Sequence, residues 1–277
     1  MPDRKAVAAA ALDPALYLGT SSWSSKDWEG VFYPKGMAAS DYLSFYATRF
    51  RSVEVDAIFY RVPSAGMTKK WRRDLPDGFR LAAKVPQLIT HEKGLVDCGD
   101  DLAAFLEAMD NLGDRLGPLL FQFPYYKKDA EMTREIFLDR LSGFLPSLPK
   151  GYRFALEIRN KSWLTPPFLD LLRSNGVALA LIDHPWMLTA RKYLELDPFT
   201  ADFVYIRWLG DRYGIEKVTK SWEKVIVDRA REMRAWVPVV KEIVATHRIT
   251  FAFFNNHYAG HAPGSIELFE KVWNETV

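Results

Sequence analysis

The chain has 277 residues, of which 48% are hydrophobic and 14% aromatic, and a formal net charge of +2 at pH 7. That balance excludes a disordered chain and gives no general pull toward nucleic acid or an anionic membrane. Cys98 is the single cysteine, which excludes a disulfide framework and a thiolate zinc cluster and fits a reducing, cytoplasmic setting.

The opening MPDRKAVAAAALDPA carries a basic start and an alanine run that Asp13 and Pro14 close before any Leu/Val-rich segment develops. Residues 1–15 are therefore expected to be a flexible tail, with residues 16–277 as one domain. No stretch reaches the roughly 18 apolar residues that a membrane helix needs, so no membrane partner is expected. The first predicted strand is 17–21. A long aromatic loop follows over 22–39, with Trp23, Trp28, Phe32 and Tyr33 expected as a lid or stacking wall. The helical pattern SDYLSFYATRF then opens on Ser40 as N-cap. Further predicted strands lie at 52–56, 79–85, 119–123, 153–158, 177–182, 202–208 and 249–255. Helical segments separate most of them. DDLAAFLEAMDNLG runs from Asp100 and Asp101 to Gly113, and TPPFLDLLRSNG places Thr165 as N-cap, Pro166 at the first helical position and Gly176 as the stop. Eight strand–helix units in about this length predict a single (β/α)8 TIM-type barrel, and the lack of a glycine-rich phosphate loop after the first strand argues against a dinucleotide fold.

In a barrel strand, alternate residues face the outer helices and the interior. In RFALEIR, the apolar Phe154, Leu156 and Ile158 share one parity, which turns Glu157 inward and places Arg159 just beyond it. The same test turns Glu54, Asp56, Lys84 and Gln122 inward. Asp183, Arg207, Asn255 and Asn256 stand at later strand ends, and His91 in the loop after the third strand. These groups converge on the C-terminal end of the barrel, where barrel enzymes keep their chemistry. Satisfied core ion pairs such as Lys84–Glu157 are the bland alternative, which weakens as more strand ends contribute. The final loop, NNHYAGHAPGS, leads into a helix N-terminus that is expected to seat a phosphate.

Together, the segments GTSSWSSKDWEGVFYP, VEVDAIFYRVPS, FRLAAKVPQLITH, LGPLLFQFP, ALEIRNKSW, ADFVYIRWLG and FFNNHYAGHAP resemble the domain-of-unknown-function 72 (YecE-like) family. They run in order through nearly the whole chain. The resemblance implies a TIM-type barrel and carries no particular reaction. Family members usually have Tyr, Asn, His and His where this chain has Ser25, Asp56, Asn160 and Leu209.

The residues suggest an enzyme using carboxylate acid–base chemistry on a small anionic or phosphorylated, sugar-like polyol. Glu157, Glu54, Lys84 and Arg159 are the candidate catalytic groups, and Trp23, His91, Gln122, Asp183, Arg207, Asn255 and Asn256 the candidate substrate-binding groups. Hydrolase, lyase and isomerase chemistries stay open. The sequence points to no definite cofactor, and Glu157, Asp183 and Glu54 with waters form a candidate set for Mg²⁺ or Mn²⁺. The alternative is a non-catalytic binder of a metabolite or of nucleic acid, in which aromatics and the basic cluster Lys69, Lys70, Arg72 and Arg73 grip a single strand.

Overall fold

The computed structural model describes residues 12–276. There are eight parallel strands, β1 (Leu16–Thr20), β2 (Ser52–Val55), β3 (Arg80–Lys84), β4 (Leu116–Gln122), β5 (Phe154–Glu157), β6 (Ala178–Asp183), β7 (Phe203–Trp208) and β8 (Ile249–Phe254), and from β2 to β8 each pairs with the next in sequence. β1 pairs with β8, so the sheet curls into a nearly closed barrel, the expected TIM-type fold. Of the expected tail, residues 1–11 lie outside the described residues. The chain before β1 is a turn, in which the Leu16 amide donates to the Asp13 carbonyl at 2.9 Å.

The helices are α1 (Tyr42–Tyr46), α2 (Ala65–Asp74), α3 (Gly99–Asp110), α4 (Arg134–Phe144), α5 (Pro166–Ser174), α6 (Ala190–Leu194), α7 (Arg212–Val218), α8 (Ala230–Val244), α9 (Asn256–Ala259) and α10 (Ala262–Glu275). The expectations around α5 hold in part. Pro166 is its first residue and Gly176 takes φ +64° beyond its end, but Thr165 caps it without a side-chain hydrogen bond. Ser40 does not cap α1: it sits inside a short 3₁₀ turn, Ala39–Asp41, that leads into the helix.

The seam between β1 and β2 closes without a regular ladder. The Ser22 amide donates to the Glu54 carbonyl at 2.7 Å. Below that bridge, the buried Tyr46 hydroxyl of α1 accepts the Thr20 amide at 2.8 Å and donates to the Ser52 carbonyl at 3.2 Å, stitching the two strands together. Gly19 permits the close approach, since a Cβ there would stand 2.0 Å from the Ser52 carbonyl oxygen. Outward-facing apolar residues of the strands meet the helices. Trp208, for example, packs against Trp236 of α8 and Phe269 of α10. The inward-facing positions carry the polar groups described next.

Candidate active site

Strand parity places Glu54, Glu157, Tyr205 and Arg207 inside the barrel, and all four side chains are buried. Arg207 spans the interior. Its Nε and Nη2 donate to Glu54 Oε1 at 3.1 and 2.6 Å, and its Nη1 donates to Glu157 Oε2 at 2.5 Å. Glu54 also accepts the Ser21 hydroxyl at 2.8 Å and the Tyr205 hydroxyl at 2.6 Å. Four donors on one carboxylate match an ionised, acceptor-only group. Burial nevertheless pushes the Glu54 carboxyl above its ordinary range, against the pull of Arg207. In Glu157 burial also acts upward, but Arg207, Arg159 and Lys84 overcome it and hold the carboxyl at about 2.

These two carboxylates form a layer beneath the mouth, and Arg207 fills the space between them. Neither lines the open cleft above. Lys84 finds its partner in Asp56 at 3.1 Å, not in Glu157 as its strand position suggests. Burial raises the Asp56 carboxyl, and Lys84 and Arg207 more than offset that, leaving it below the usual carboxylate range. Arg159 is bound to Glu157 through Nε alone, at 3.0 Å, with its side chain 29% exposed.

A cleft of about 690 Å³ opens above this layer. Asp56, Lys84, His91, Gln122, Arg159, Arg207 and Asn255 all reach it, which brings together most of the predicted site. Lys127 and Arg212 add to the cations, so positively charged lining residues outnumber the single anion, Asp56, five to one. Three histidines stand around it, His91, His184 and His257. His91, although open to the cleft, is brought down to about 4 by desolvation and then by Arg159 and Lys84, and its Nδ1 lies 2.8 Å from the Thr90 hydroxyl. His184 accepts the Trp186 amide on Nδ1 at 3.3 Å, which leaves the proton of its neutral ring on Nε2. His257 Nδ1 lies 2.6 Å from Asn255 Oδ1 and its Nε2 3.0 Å from Glu216 Oε1; burial pushes it down while Glu216 pulls it back up.

Four expectations need correction. Asp183 turns away from the mouth: its Oδ2 accepts Trp236 Nε1 at 2.8 Å and the Tyr258 hydroxyl at 3.2 Å, because it shares parity with the outward Leu179 and Leu181. Asn256 likewise faces outward and accepts the Ala262 amide at 2.9 Å. That contact, with residues 222–227 packed over the same turn through His261 to the Trp222 carbonyl and Ile226 to the Ala259 carbonyl, closes the helix end expected to seat a phosphate. The loop 22–39 packs down instead of covering the mouth: Trp28 and Tyr33 are buried, Tyr33 stacks on Tyr42 with centroids 4.0 Å apart, and Trp23 meets Trp71 edge-on at 5.6 Å.

Glu157, Asp183 and Glu54 do not converge as a metal set, since Asp183 faces α8 and Arg207 lies between the other two. Among the described residues, no group of three or more His, Cys, Asp and Glu is placed to hold a metal. The basic cluster on α2 is largely paired with acids, Lys70 with Asp74 and Arg72 with Asp114. Among the described residues no helix is long and apolar enough to cross a membrane.

A family model described as "Protein of unknown function DUF72" matches residues 17–277. The chain belongs to the DUF72 family. The UPF0759 protein YunF of Bacillus subtilis (strain 168) is 26% identical over 263 residues, covering 89% of this chain and 90% of its own. A DUF72 family crystal structure from Thermotoga maritima superposes with a TM-score of 0.70 at 26% identity, covering 92% of this chain and 98% of its own. A second, from Enterococcus faecalis, gives 0.68 at 22% identity over 94% and 95%. PbGH5A, a glycoside hydrolase family 5 enzyme from Prevotella bryantii, shares the barrel alone, at a TM-score of 0.51 and 11% identity, covering 94% of this chain and 96% of its own.

The four positions at which the resemblance implies other residues have these surroundings. Asp56 is the counterion of Lys84, and Leu209 lines the cleft. Asn160 clamps the Tyr126 backbone, accepting its amide at 3.0 Å and donating to its carbonyl at 2.8 Å. Ser25 makes no side-chain cap. Sequence reasoning missed His184, His257, Trp186, Tyr125 and Tyr213, all at the mouth. His184 had a readable signal, because it has the parity of the inward Ile182, whose register partner is Arg207.

Proposed function

We propose that the protein is an enzyme acting on a small anionic, phosphorylated polyol or sugar bound at the barrel mouth. The observation that carries this reading is the 690 Å³ cleft, whose lining mixes five cationic side chains with three histidines and several aromatic rings. Arg159, with both terminal nitrogens unbonded among the described residues, and Lys84 hold the anionic group. Proton transfer falls to His91 and Asp56, two of the ionisable groups that reach the cleft, while Glu54 and Glu157 act from below by fixing Arg207 and Arg159. At pH 7 the His91 ring is neutral and suits a general base.

A thermal-shift panel tests this reading on the wild type, Arg159→Gln and His91→Gln. The panel holds sugar phosphates, the matching unphosphorylated sugars, Mg²⁺, Mn²⁺ and an oligonucleotide. A shift with a sugar phosphate, lost in Arg159→Gln and retained without turnover in His91→Gln, is the expected outcome. A shift with the oligonucleotide alone, equal in all three proteins, would replace it with the non-catalytic binding reading.

A further inference from the structure

A second cavity of about 420 Å³ adjoins the mouth, formed by Tyr125, Arg159, Asn160, Lys161, Ser162 and Trp186. Three of these residues, Tyr125, Arg159 and Trp186, also line the main cleft, so the two chambers meet along them. Each chamber falls within the roughly 300–1,000 Å³ of small-molecule sites. We infer that the substrate is a two-ring anion: one ring unit in the main cleft, a second in the adjoining chamber, and the anionic linkage between them on Arg159. This inference rests on the proposed anionic substrate and adds its second unit.

Two observations support it. First, the aromatic residues at the junction are open yet rigidly held. Tyr125 and Trp186 are 50% and 52% exposed, with ring centroids 5.6 Å apart and planes at 60°, forming an open corner. Behind Tyr125, Asn160 clamps Tyr126 at both backbone groups, and the Tyr126 ring stacks on Trp163 at 5.3 Å. Behind Trp186, His184 accepts its amide and packs edge-on against its ring at 5.1 Å. Large aromatic faces left in water on a fixed backbone are suited to a ring that stacks on one and abuts the other, and little ordering entropy is left to lose on binding.

Second, the charges are placed for a linkage rather than a terminal group. Arg159 is the cation common to both chambers, and Glu157 fixes its Nε while leaving its terminal nitrogens free for two oxygens of one anionic group. Asn160 has both ends of its amide committed to Tyr126, so Lys161 and Ser162 are left to supply polar contacts to the second unit. A terminal phosphate would not need the second chamber at all.

The test compares ring–anion–ring probes with their halves by isothermal titration calorimetry on the full chain. The phosphodiesters of glucose 1-phosphate with phenol and with the C6 hydroxyl of a second glucose are the two-ring probes, with glucose 1-phosphate, phenyl phosphate and glucose 6-phosphate as one-ring probes. The expected result is that at least one two-ring probe binds about tenfold more tightly than either half. That ratio should fall to about one in Ser162→Trp, which fills the second chamber from an exposed position, and in Trp186→Ala. If the halves bind and neither two-ring probe exceeds them, or if Ser162→Trp keeps the ratio, the second chamber is not a subsite and the anionic-substrate reading stands alone. If no probe binds, both inferences fail.

Discussion

The interior ion cluster makes a strong quantitative claim about Arg207. Replacing it with Met removes the group that satisfies two fully buried carboxylates at once, while keeping much of the apolar volume. Breaking one partner of a buried pair costs about 3–5 kcal/mol. Here Glu54 keeps the Ser21 and Tyr205 hydroxyls and Glu157 keeps Arg159, so the middle of that range, about 4 kcal/mol, is expected. For a chain of this size that lowers Tm by about 8–16 °C. Without Arg207 the balance in both carboxyls moves toward burial, so Glu54 rises further and Glu157 rises while Arg159 and Lys84 still pull it down. A raised carboxyl weakens the fold at high pH and stops doing so as pH falls toward its unfolded value, so the deficit should be smaller at pH 5 than at pH 8. Adding Glu54→Gln to Arg207→Met should recover about 1–2 kcal/mol, because it removes one stranded charge. Urea denaturation of the three proteins at both pH values measures all of this. A cost under about 1 kcal/mol, or a deficit that grows on acidification, would refute the argument.

Other expectations follow from individual contacts. Glu157, held at about 2, adds stability that is complete above pH about 4.5 and lost as pH falls toward 2, worth about 3 kcal/mol. Urea midpoints followed across that window should fall, and a flat profile would contradict it. Tyr205→Phe removes a buried hydroxyl donated to Glu54 and should cost about 1–2 kcal/mol in denaturant unfolding, whereas no change would mean the hydroxyl is not bonded there. Gly19→Ala forces a methyl against the Ser52 carbonyl and should cost about 3 kcal/mol or prevent folding, read by expression and circular dichroism; wild-type stability would show that the seam can open. His91 should titrate below pH 5.5 by NMR of its ring, and a midpoint at the ordinary 6.5 would contradict its desolvation beside Arg159 and Lys84.

Much of the barrel was legible because its strands obey one rule. Bulky apolar residues on one parity of 52–56, 79–85, 119–123 and 153–158 forced Glu54, Lys84, Gln122 and Glu157 to the other side, where the structure has them. The same rule, carried into β6 and β8, would have turned Asp183 and Asn256 outward with Leu181 and Phe254 and brought His184 inward. Partner choice was not legible. That Lys84 meets Asp56, or that Arg207 crosses the barrel to carboxylates 50 and 153 residues earlier in the sequence, depends on side-chain reach that local pattern does not encode. Nor could the aromatics of 22–39 reveal their direction, since a stacking wall and a packed-down loop use the same residues. The stacking faces at the mouth came instead from Tyr125 and Trp186, in short loops with no periodic signal.

The central claim is that the mouth binds an anionic sugar-like ligand through Arg159. Calorimetric titration of glucose 6-phosphate into the wild type and Arg159→Gln, at pH 7 and low ionic strength, tests it most directly. One site that weakens about tenfold or more in the variant, while unphosphorylated glucose binds neither protein measurably, is the predicted result. Equal affinity for the two proteins, or equal binding of glucose and its phosphate, would contradict it.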